Sequence, residues 1–422
     1  MIRVLVFPCG SEIALEIERS LRYVKGIELW GASSTSDHGE YVFENYVDGV
    51  PFVDDEGFLD SINRIIDEHA IDFVFPAHDS AVLALAQRRH DLHATLLTSS
   101  TATCETARSK AATYSALQDV VRTPARYAPG ADLPFPVFLK PDVGQGSKGV
   151  LKAQSADEVD RALRKDPSLL VLEYLPGEEF TVDCFTDASG ALLYAQARTR
   201  ARTSNGISVR STTIPLPEAA AMAGRINGAL PFRGAWFFQV KYTGDGELAL
   251  LEVAPRIAGT MGVSRMLGVN LPVLTLLDAQ GLPVSILAGR YSVEVDRALT
   301  SRFHLALDFH TVFVDFDDTI AMQDGVNAAL MAVLYRFVSQ GKRLVLITRH
   351  AADLTASLQQ HRIDSALFDE VVHLSAGEPK SHSVTAGSIF IDDSFRERAE
   401  VAAARGVPVF DVGEAVELLT GG

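Results

Sequence analysis

Short apolar runs that stop at a polar residue, each followed by a helical stretch, recur at both ends of this 422-residue chain and are missing from its middle. Runs of four to six apolar residues alternating with helices pack well in one way, as a parallel sheet covered by its own crossover helices. The first set opens with Val4, Leu5, Val6, Phe7 and Pro8, followed by an N-cap at Ser11 and a helix through about Tyr23 that carries Ile13, Leu15, Ile17 and Leu21. A strand at 27–30, a helix over 58–68, a strand at 72–76 and a helix from Asp79 complete a small parallel-sheet domain predicted over residues 1–95. The last set predicts strands at 312–316, 343–347, 388–391 and 407–410, with helices over 326–339, 351–361 and 395–405, and so a domain over residues 308–422. Most of these later strands end in polar, reactive side chains, where ligands of doubly wound sheets sit.

Residues 96–307 read as mixed α+β, with sheet-like runs and clustered glycines. The whole is an α/β and α+β multidomain chain. Its 47% hydrophobic and 22% charged residues belong to a well-cored globular protein. A net charge of −16 repels nucleic acid and anionic lipid, so neither is expected as a partner. The C-terminal stretch 308–422 is the more acidic part, with 17 acids against 9 bases. Cys9, Cys104 and Cys184 are odd in number and without metal-ligand spacing, which predicts a reduced, cytoplasmic chain lacking structural zinc. The first apolar stretch is broken by Pro8 and Glu12, and no later run approaches the ~18 residues of a membrane span, so neither signal peptide nor membrane helix is expected.

In the middle, an apolar run at 135–139 leads to Lys140 and then to a loop holding Gly144, Gly146, Ser147, Lys148 and Gly149. Glycines let backbone N–H groups close over phosphate oxygens while lysine supplies countercharge; a plain hairpin is the alternative. The loop is neither a Walker loop nor a dinucleotide fingerprint, since no helix start follows. After it come Leu172, Glu173, Tyr174, Leu175 and Glu179, then Phe238, Gln239 and Val240, and finally Leu251, Glu252, Val253, Ala254, Pro255 and Arg256. In order and spacing, residues 1–300 resemble the ATP-grasp superfamily, in the branch of carbamoyl-phosphate synthetase, biotin carboxylase and carboxylate–amine ligases.

The resemblance implies a pre-ATP-grasp domain over 1–95 and an ATP-grasp domain over 96–307, its lid subdomain at about 110–180. It implies that Lys110 and Lys140 hold ATP phosphates, with Gly144, Gly146, Ser147 and Gly149 in the phosphate lid. Glu173 and Leu175 match the hinge at the adenine edge, and Glu179 the acid on the ribose. Gln239 and Glu252 match ligands of Mg²⁺ (or Mn²⁺), for which hard oxygen donors are suited. Arg256 matches the arginine that steadies the transferred phosphoryl group. One position departs: Ala254 stands where the family has asparagine, and alanine cannot coordinate metal. The implied reaction joins a small-molecule carboxylate to an amine through an acyl-phosphate. For the substrate acid, Arg202 and Arg210 offer bidentate pairing, the alternative being solvated arginines on an exposed ribbon. Glu12 is a candidate ammonium anchor, with a first-turn helix acid as the plainer reading. The pair His78 and Asp79 is expected to face the same cleft. The resemblance also implies a homodimer.

At the C-terminal end, Asp315 and Asp317 follow the run Val312 to Val314, Thr348 ends the next strand, Lys380 lies further on, and Asp392 and Asp393 end another strand. This order resembles the haloacid-dehalogenase-like phosphatases and phosphotransferases, with a Rossmannoid fold. It implies Asp315 as the nucleophile forming an aspartyl-phosphate and Asp317 as general acid and base. Thr348 and Lys380 would bind the phosphoryl oxygens. Asp315, Asp317, Asp392 and Asp393 would supply the Mg²⁺ site, since so many carboxylates need countercharge to stay ionised. The spacing leaves no room for a cap insertion, so a capless, open site is expected, for which the neighbouring domain can act as cap. Together the two halves predict a bifunctional ligase and phosphatase; the other readings are a phosphatase carrying a nucleotide-binding module, and a ligase with a silent C-terminal module.

Overall fold

A computed structural model describes residues 1–422 apart from 129–130, 145, 147, 304–305, 324 and 418–422. The chain forms two compact units, Met1–Leu299 and Thr300–Gly422.

The first unit begins with a parallel sheet of strands β1 (Ile2–Phe7), β2 (Ile27–Ala32), β3 (Asn45–Val47), β4 (Phe73–Pro76) and β5 (Thr95–Leu96), in the order β3-β2-β1-β4-β5. The chain runs outward from β1 in one direction through β2 and β3, then returns to β4 on its other side. That reversal opens a crevice beyond the carboxyl ends of β1 and β4. Ser11 stands there as the N-cap of helix Glu12–Leu21, its Oγ accepting from Ala14 N at 3.1 Å and donating to the Ala77 carbonyl at 2.9 Å. One hydroxyl thus starts a helix and ties the two strand ends together. The inward face of that helix, Ile13, Ile17 and Leu21, shares a buried cluster with Val4, Val6, Phe185, Phe237 and Ile257. The N-terminal sheet therefore closes against the middle of the chain through a common core.

The middle holds two antiparallel sheets. Strands β6 (Arg126–Tyr127), β7 (Val137–Pro141), β8 (Leu151–Ala153) and β9 (Leu169–Glu173) form the smaller, ordered β6-β9-β7-β8, with helix Ala156–Lys165 packing on β8 and β9. The larger comprises β10 (Glu179–Thr186), β11 (Leu192–Thr199), β12 (Arg202–Ser204), β13 (Ile207–Ile214), β14 (Gly234–Tyr242), β15 (Leu248–Ala254) and β16 (Glu294–Asp296). Its order is β12-β13-β11-β10-β14-β15, with β16 on β13. Alternation along β10 and β14 sorts the side chains between two faces. Val182, Cys184, Trp236, Phe238 and Val240 join one buried cluster with Ala219, Met222 and Ile226 of helix Pro217–Ala229. The opposite face carries Thr181, Asp183, Phe237 and Gln239. The apolar face holds the sheet in place, at roughly 25 cal/mol for each Å² of apolar surface it removes from water, and leaves the other face for polar residues.

The second unit contains β17 (Thr311–Val314), a small hairpin of β18 (Ala321–Met322) and β19 (Gly325–Val326), and then β20 (Arg343–Thr348), β21 (Glu370–His373), β22 (Ser388–Ile391) and β23 (Val409–Phe410). The main sheet is parallel in the order β21-β20-β17-β22-β23. Val312, Val314, Leu344, Leu346, Ile389 and Ile391 are fully buried on one side of it and Phe313, Val345, Ile347 and Phe390 on the other. Burial on both faces explains why these strands read as continuous apolar runs. The 319–343 interval holds the β18–β19 hairpin as well as helix Ala328–Ser339; two-residue strands are too short to leave a periodic signal.

Candidate functional sites

Among the clefts of the first unit, two adjoin at Gln239 and Glu252. The smaller, about 170 Å³, lies between the two antiparallel sheets and is lined by Lys110, Lys140, Glu173, Leu175, Glu179 and Glu252, among others. Lys140 comes from β7 and is buried. Its Nζ donates to the Tyr114 hydroxyl at 2.6 Å and the Leu251 carbonyl at 3.2 Å, both neutral acceptors. Burial pushes the Lys140 ammonium down to about 8, with Glu252 and Glu179 opposing the fall and Lys110 adding to it. Among the described residues, Lys110 Nζ hydrogen-bonds the Asp142 carbonyl alone, at 3.3 Å. Both cations are thus held by neutral oxygens, which leaves their charge for an anion.

The Glu173 carboxylate is turned to Arg122 at 2.6 Å and accepts from Ala125 N at 3.0 Å, while the residue lines this wall of the cleft. Glu179 is ion-paired with Arg200 Nε at 2.7 Å. Gly144 and Gly146 line the cleft. Gly146 and Gly149 have φ of +63° and +74°, left-handed values that glycine adopts without strain. Ser147 lies outside the described residues.

Gln239 on β14 and Glu252 on β15 are directly opposite in register and line both clefts. The larger cleft, about 670 Å³, runs from them to the crevice beyond β1 and β4, where Glu12, His78 and Asp79 line it. Arg256 faces it too. Its Nε and Nη2 pair with Asp79 at 2.6 and 2.8 Å, its Nη1 donates to the Ile257 carbonyl at 3.0 Å, and its guanidinium lies 5.1 Å from the Phe237 ring centre. Burial alone would raise Asp79, but the Arg256 charge and hydrogen bonds hold its carboxyl below the usual range. Glu12 lies 3.7 Å from Arg297 Nη2. Ala254 is buried in the core cluster of the N-terminal sheet and offers no side-chain ligand.

Arg202 and Arg210 are not brought to either cleft. They oppose each other on the exposed β12–β13 ribbon, where Arg202 pairs with Asp296 at 2.7 Å and Arg210 with Glu294 at 2.8 Å. Two like charges set opposite across a ribbon recruit acids from the adjacent β16. The arginines that do line the larger cleft are Arg108, Arg198, Arg200 and Arg256. Arg198 and Arg200 belong to the same short segment as Arg202, but only strand pairing separates the three. Tyr114, which seats Lys140, also escaped sequence reading, because its only signal is spatial.

In the second unit, Asp315, Thr348 and Asp392–Asp393 stand at the carboxyl ends of β17, β20 and β22. Lys380 is buried between Asp315 Oδ1 and Asp392 Oδ2, 2.6 Å from each. Oxygens of Asp315, Asp392 and Asp393 lie within 4.8 Å of one another, a hard-oxygen set that fits Mg²⁺. Burial pushes the Asp315 carboxyl up to about 6; Lys380 limits the rise and Asp392 adds to it. Burial works against the Lys380 ammonium, yet its two carboxylate partners hold it above its ordinary value.

Asp317 does not join the three-carboxylate group. Its half-exposed side chain turns to His350 Nδ1 at 2.8 Å, while His350 Nε2 meets Ser357 Oγ at 2.7 Å. His350 immediately follows the Thr348–Arg349 pair, a place where its partner across the site could not be read from sequence. Thr348 is buried, its Oγ1 accepting from His350 N at 3.1 Å. The three cysteines are free and buried. Among the described residues, no helix is long and apolar enough to cross a membrane.

Residues 165–298 match the family profile described as ATP-grasp in the biosynthetic pathway with Ter operon. No curated protein matches the chain. Among solved structures, the chain is similar to the biotin carboxylase domain dimer of Hydrogenobacter thermophilus 2-oxoglutarate carboxylase in complex with MgADP, ADP and bicarbonate. That match has 16% identity and a TM-score of 0.57, over 68% of this chain and 70% of that one. It is also similar to the L-amino acid ligase from Bacillus licheniformis, with 20% identity and a TM-score of 0.55 over 68% and 75%. A third likeness is to the ADP complex of purK, N5-carboxyaminoimidazole ribonucleotide synthetase, with 18% identity and a TM-score of 0.54 over 67% and 77%. At these identities the likeness is one of fold, and with the family match it establishes that this chain carries an ATP-grasp domain.

Proposed function

We propose that the protein is a bifunctional enzyme that joins a carboxylate to an amine at the expense of ATP and, in its C-terminal domain, hydrolyses a phosphate ester. The observation that carries the ligase half is the pair of buried or half-buried lysines, Lys110 and Lys140, which among the described residues hydrogen-bond only neutral oxygens and line a cleft with Gln239 and Glu252. Such cations await an anion, and nucleotide phosphates supply one. Bound Mg²⁺ would offset phosphate charge, with Gln239 and Glu252 as its protein ligands. Lys110, Lys140 and the glycine loop, Ser147 included, hold the phosphates; the wall at Glu173 and Leu175 takes the base and Glu179 the ribose. A substrate carboxylate oxygen attacks the γ-phosphorus, the bond to ADP breaks, and an acyl-phosphate forms. The amine nitrogen then attacks the acyl carbon, phosphate leaves, and the nitrogen gives up its proton. Arg256, locked on Asp79, presents a fixed positive edge to that centre. Glu12, which lines the same cleft, receives the amine.

In the C-terminal, haloacid-dehalogenase-like domain, Asp315 attacks phosphorus and Asp317 protonates the departing oxygen. Water then opens the aspartyl-phosphate, with Asp317 taking its proton. Lys380 and Thr348 hold the phosphoryl oxygens. Asp315, Asp392 and Asp393 would hold Mg²⁺, which lowers the mutual repulsion of the carboxylates. A homodimer in the cytoplasm is the assembly and place we assign.

The test is ADP release that depends on both a carboxylate and an amine and is lost in Lys140→Ala and Glu252→Ala, alongside phosphate-ester hydrolysis lost separately in Asp315→Asn. Ala254 favours a second reading, a phosphatase with a nucleotide-binding but non-catalytic module. No ADP release across a broad acid and amine panel, even in Ala254→Asn, with Asp315-dependent hydrolysis intact, would replace the first reading by the second.

A further inference from the structure

Arg198 stands in a row with the two proposed metal ligands. Across four neighbouring strands, β11, β10, β14 and β15, Arg198 pairs with Thr181, Thr181 with Gln239 and Gln239 with Glu252. Residues directly opposite across antiparallel strands project from the same face. All four line the larger cleft. Two strand spacings, on the order of 10 Å, separate Arg198 from Gln239.

Arg198 is 1% exposed, and its partner Asp183 is fully buried. Nε donates to Asp183 Oδ2 at 2.9 Å and Nη2 to Oδ1 at 3.1 Å. This side-on fork puts Nη1 on the edge of the guanidinium away from Asp183. Nη1 is buried and has no acceptor among the described residues. The pair is braced from behind, since Ser264 Oγ donates to Asp183 and Tyr194 OH to Ser264 Oγ at 3.2 Å. An ion pair taken out of water with one donor unmet is costly to the fold. Its neighbours Arg200 and Arg256 have carboxylates of their own in Glu179 and Asp79. Arg200 Nε is likewise buried without a well-aligned acceptor but stands 2.7 Å from the Glu179 carboxylate, whereas the hydrogen bonds of Arg198 to Asp183 are made by Nε and Nη2 and leave Nη1 over.

We propose that Arg198 Nη1 receives a second anionic group on the acid substrate, so that the substrate class is a short dicarboxylate, amino dicarboxylates included. One carboxylate reacts at the Gln239–Glu252 end of the row and the other docks on Arg198. Asp183 is a positioning residue that fixes the guanidinium. This rests on the ligase reading for the fate of the acid, but the subsite itself can be tested by binding alone.

The experiment is calorimetric titration of the full chain, loaded with Mg²⁺ and a non-hydrolysable ATP analogue. Succinate, glutarate, L-aspartate and L-glutamate are compared with acetate and butyrate. At least one dicarboxylate should bind about 100-fold or more tighter than the single-anion acids. The double variant Arg198→Met/Asp183→Asn, which leaves no lone buried carboxylate, should lose that preference and keep its affinity for the nucleotide analogue. Should the double variant fail to bind nucleotide, Arg198→Lys serves instead: a single ammonium engaged by Asp183 has no far edge, and the preference should again disappear. Equal binding of one- and two-anion acids by the wild type, no dicarboxylate binding at all, or a preference that survives in a nucleotide-competent variant overturns the proposal. ADP release measured on the same samples separates the two readings. Arg198-dependent dicarboxylate binding without ADP release sinks ligation alone, and ADP release indifferent to Arg198 sinks the subsite alone.

Discussion

Two buried lysines in this protein are kept in opposite electrostatic states. Lys380 sits between two carboxylates, with its charge already met inside the fold and its ammonium held above the ordinary value. Lys140 is as deeply buried but touches only a hydroxyl and a carbonyl, and its ammonium falls to about 8. The first lysine keeps two acids together before any ligand is bound. The second is a cation held at a cost, with no carboxylate hydrogen-bonded to it among the described residues. Residue type and burial are shared; the partners decide how far each charge is met inside the fold.

The largest effect should come from the acid that Lys380 holds. Asp315→Asn removes the proposed nucleophile and should lower phosphate-ester hydrolysis by about 10³-fold or more, read as phosphate release, with nucleotide binding untouched. Lys380→Met should then break the comparison from the other side. It leaves Asp315 and Asp392 buried without their shared cation, a loss of about 3–5 kcal/mol that would appear as a lowered melting transition. The matching Lys140→Met should change stability by less than about 1 kcal/mol, because it uncovers no buried acid, yet weaken ATP binding about tenfold or more. Equal destabilisation by both substitutions would erase the distinction. His350→Ala should slow hydrolysis of esters with poor leaving groups by about 10²-fold, while esters with good leaving groups change little, since His350 orients the acid that protonates the departing oxygen.

The smallest effects are in pH. Lys140 loses its proton as pH rises through about 8, and phosphate binding favours the protonated form. ATP affinity should therefore fall above that pH, with proton uptake on binding visible as a buffer-dependent heat. Asp315 moves the other way. Its raised value means that its contribution to stability is full below its ordinary 3.8 and is lost as pH rises through about 6. Added Mg²⁺ should restore part of that stability at pH 7, and chelation should remove it.

Legibility from sequence follows how local each signal is. The strands of the second unit and the acids at their ends could be read because burial on both faces leaves an uninterrupted apolar run, and the reactive residue is the next one along the chain. The strands that carry Lys140 and Glu252 were legible as apolar runs in the same way. Asp317 was expected with the metal acids and instead turns to His350, since proximity in sequence does not say which way an exposed carboxylate points. Tyr114 and Asp79 acquire their roles from Lys140 and Arg256, which are distant in sequence, and no pattern in either segment announces the pairing.

The arginine-rich stretch from Arg198 to Arg210 draws that line most clearly. Sequence alone determined that this stretch carries cations, that apolar runs make the sheets, and that acids stand at the ends of the C-terminal strands. Which arginine meets the cleft was decided by tertiary structure. Pairing of β11 with β10 puts Arg198 in the row of Gln239 and Glu252, while the register shift at Arg202 and the acids of β16 hold Arg202 and Arg210 on the outer ribbon. Side chains along a strand alternate between faces, and where a strand ends or shifts by one residue the assignment changes. That information lies in the partner strands and not in the segment itself.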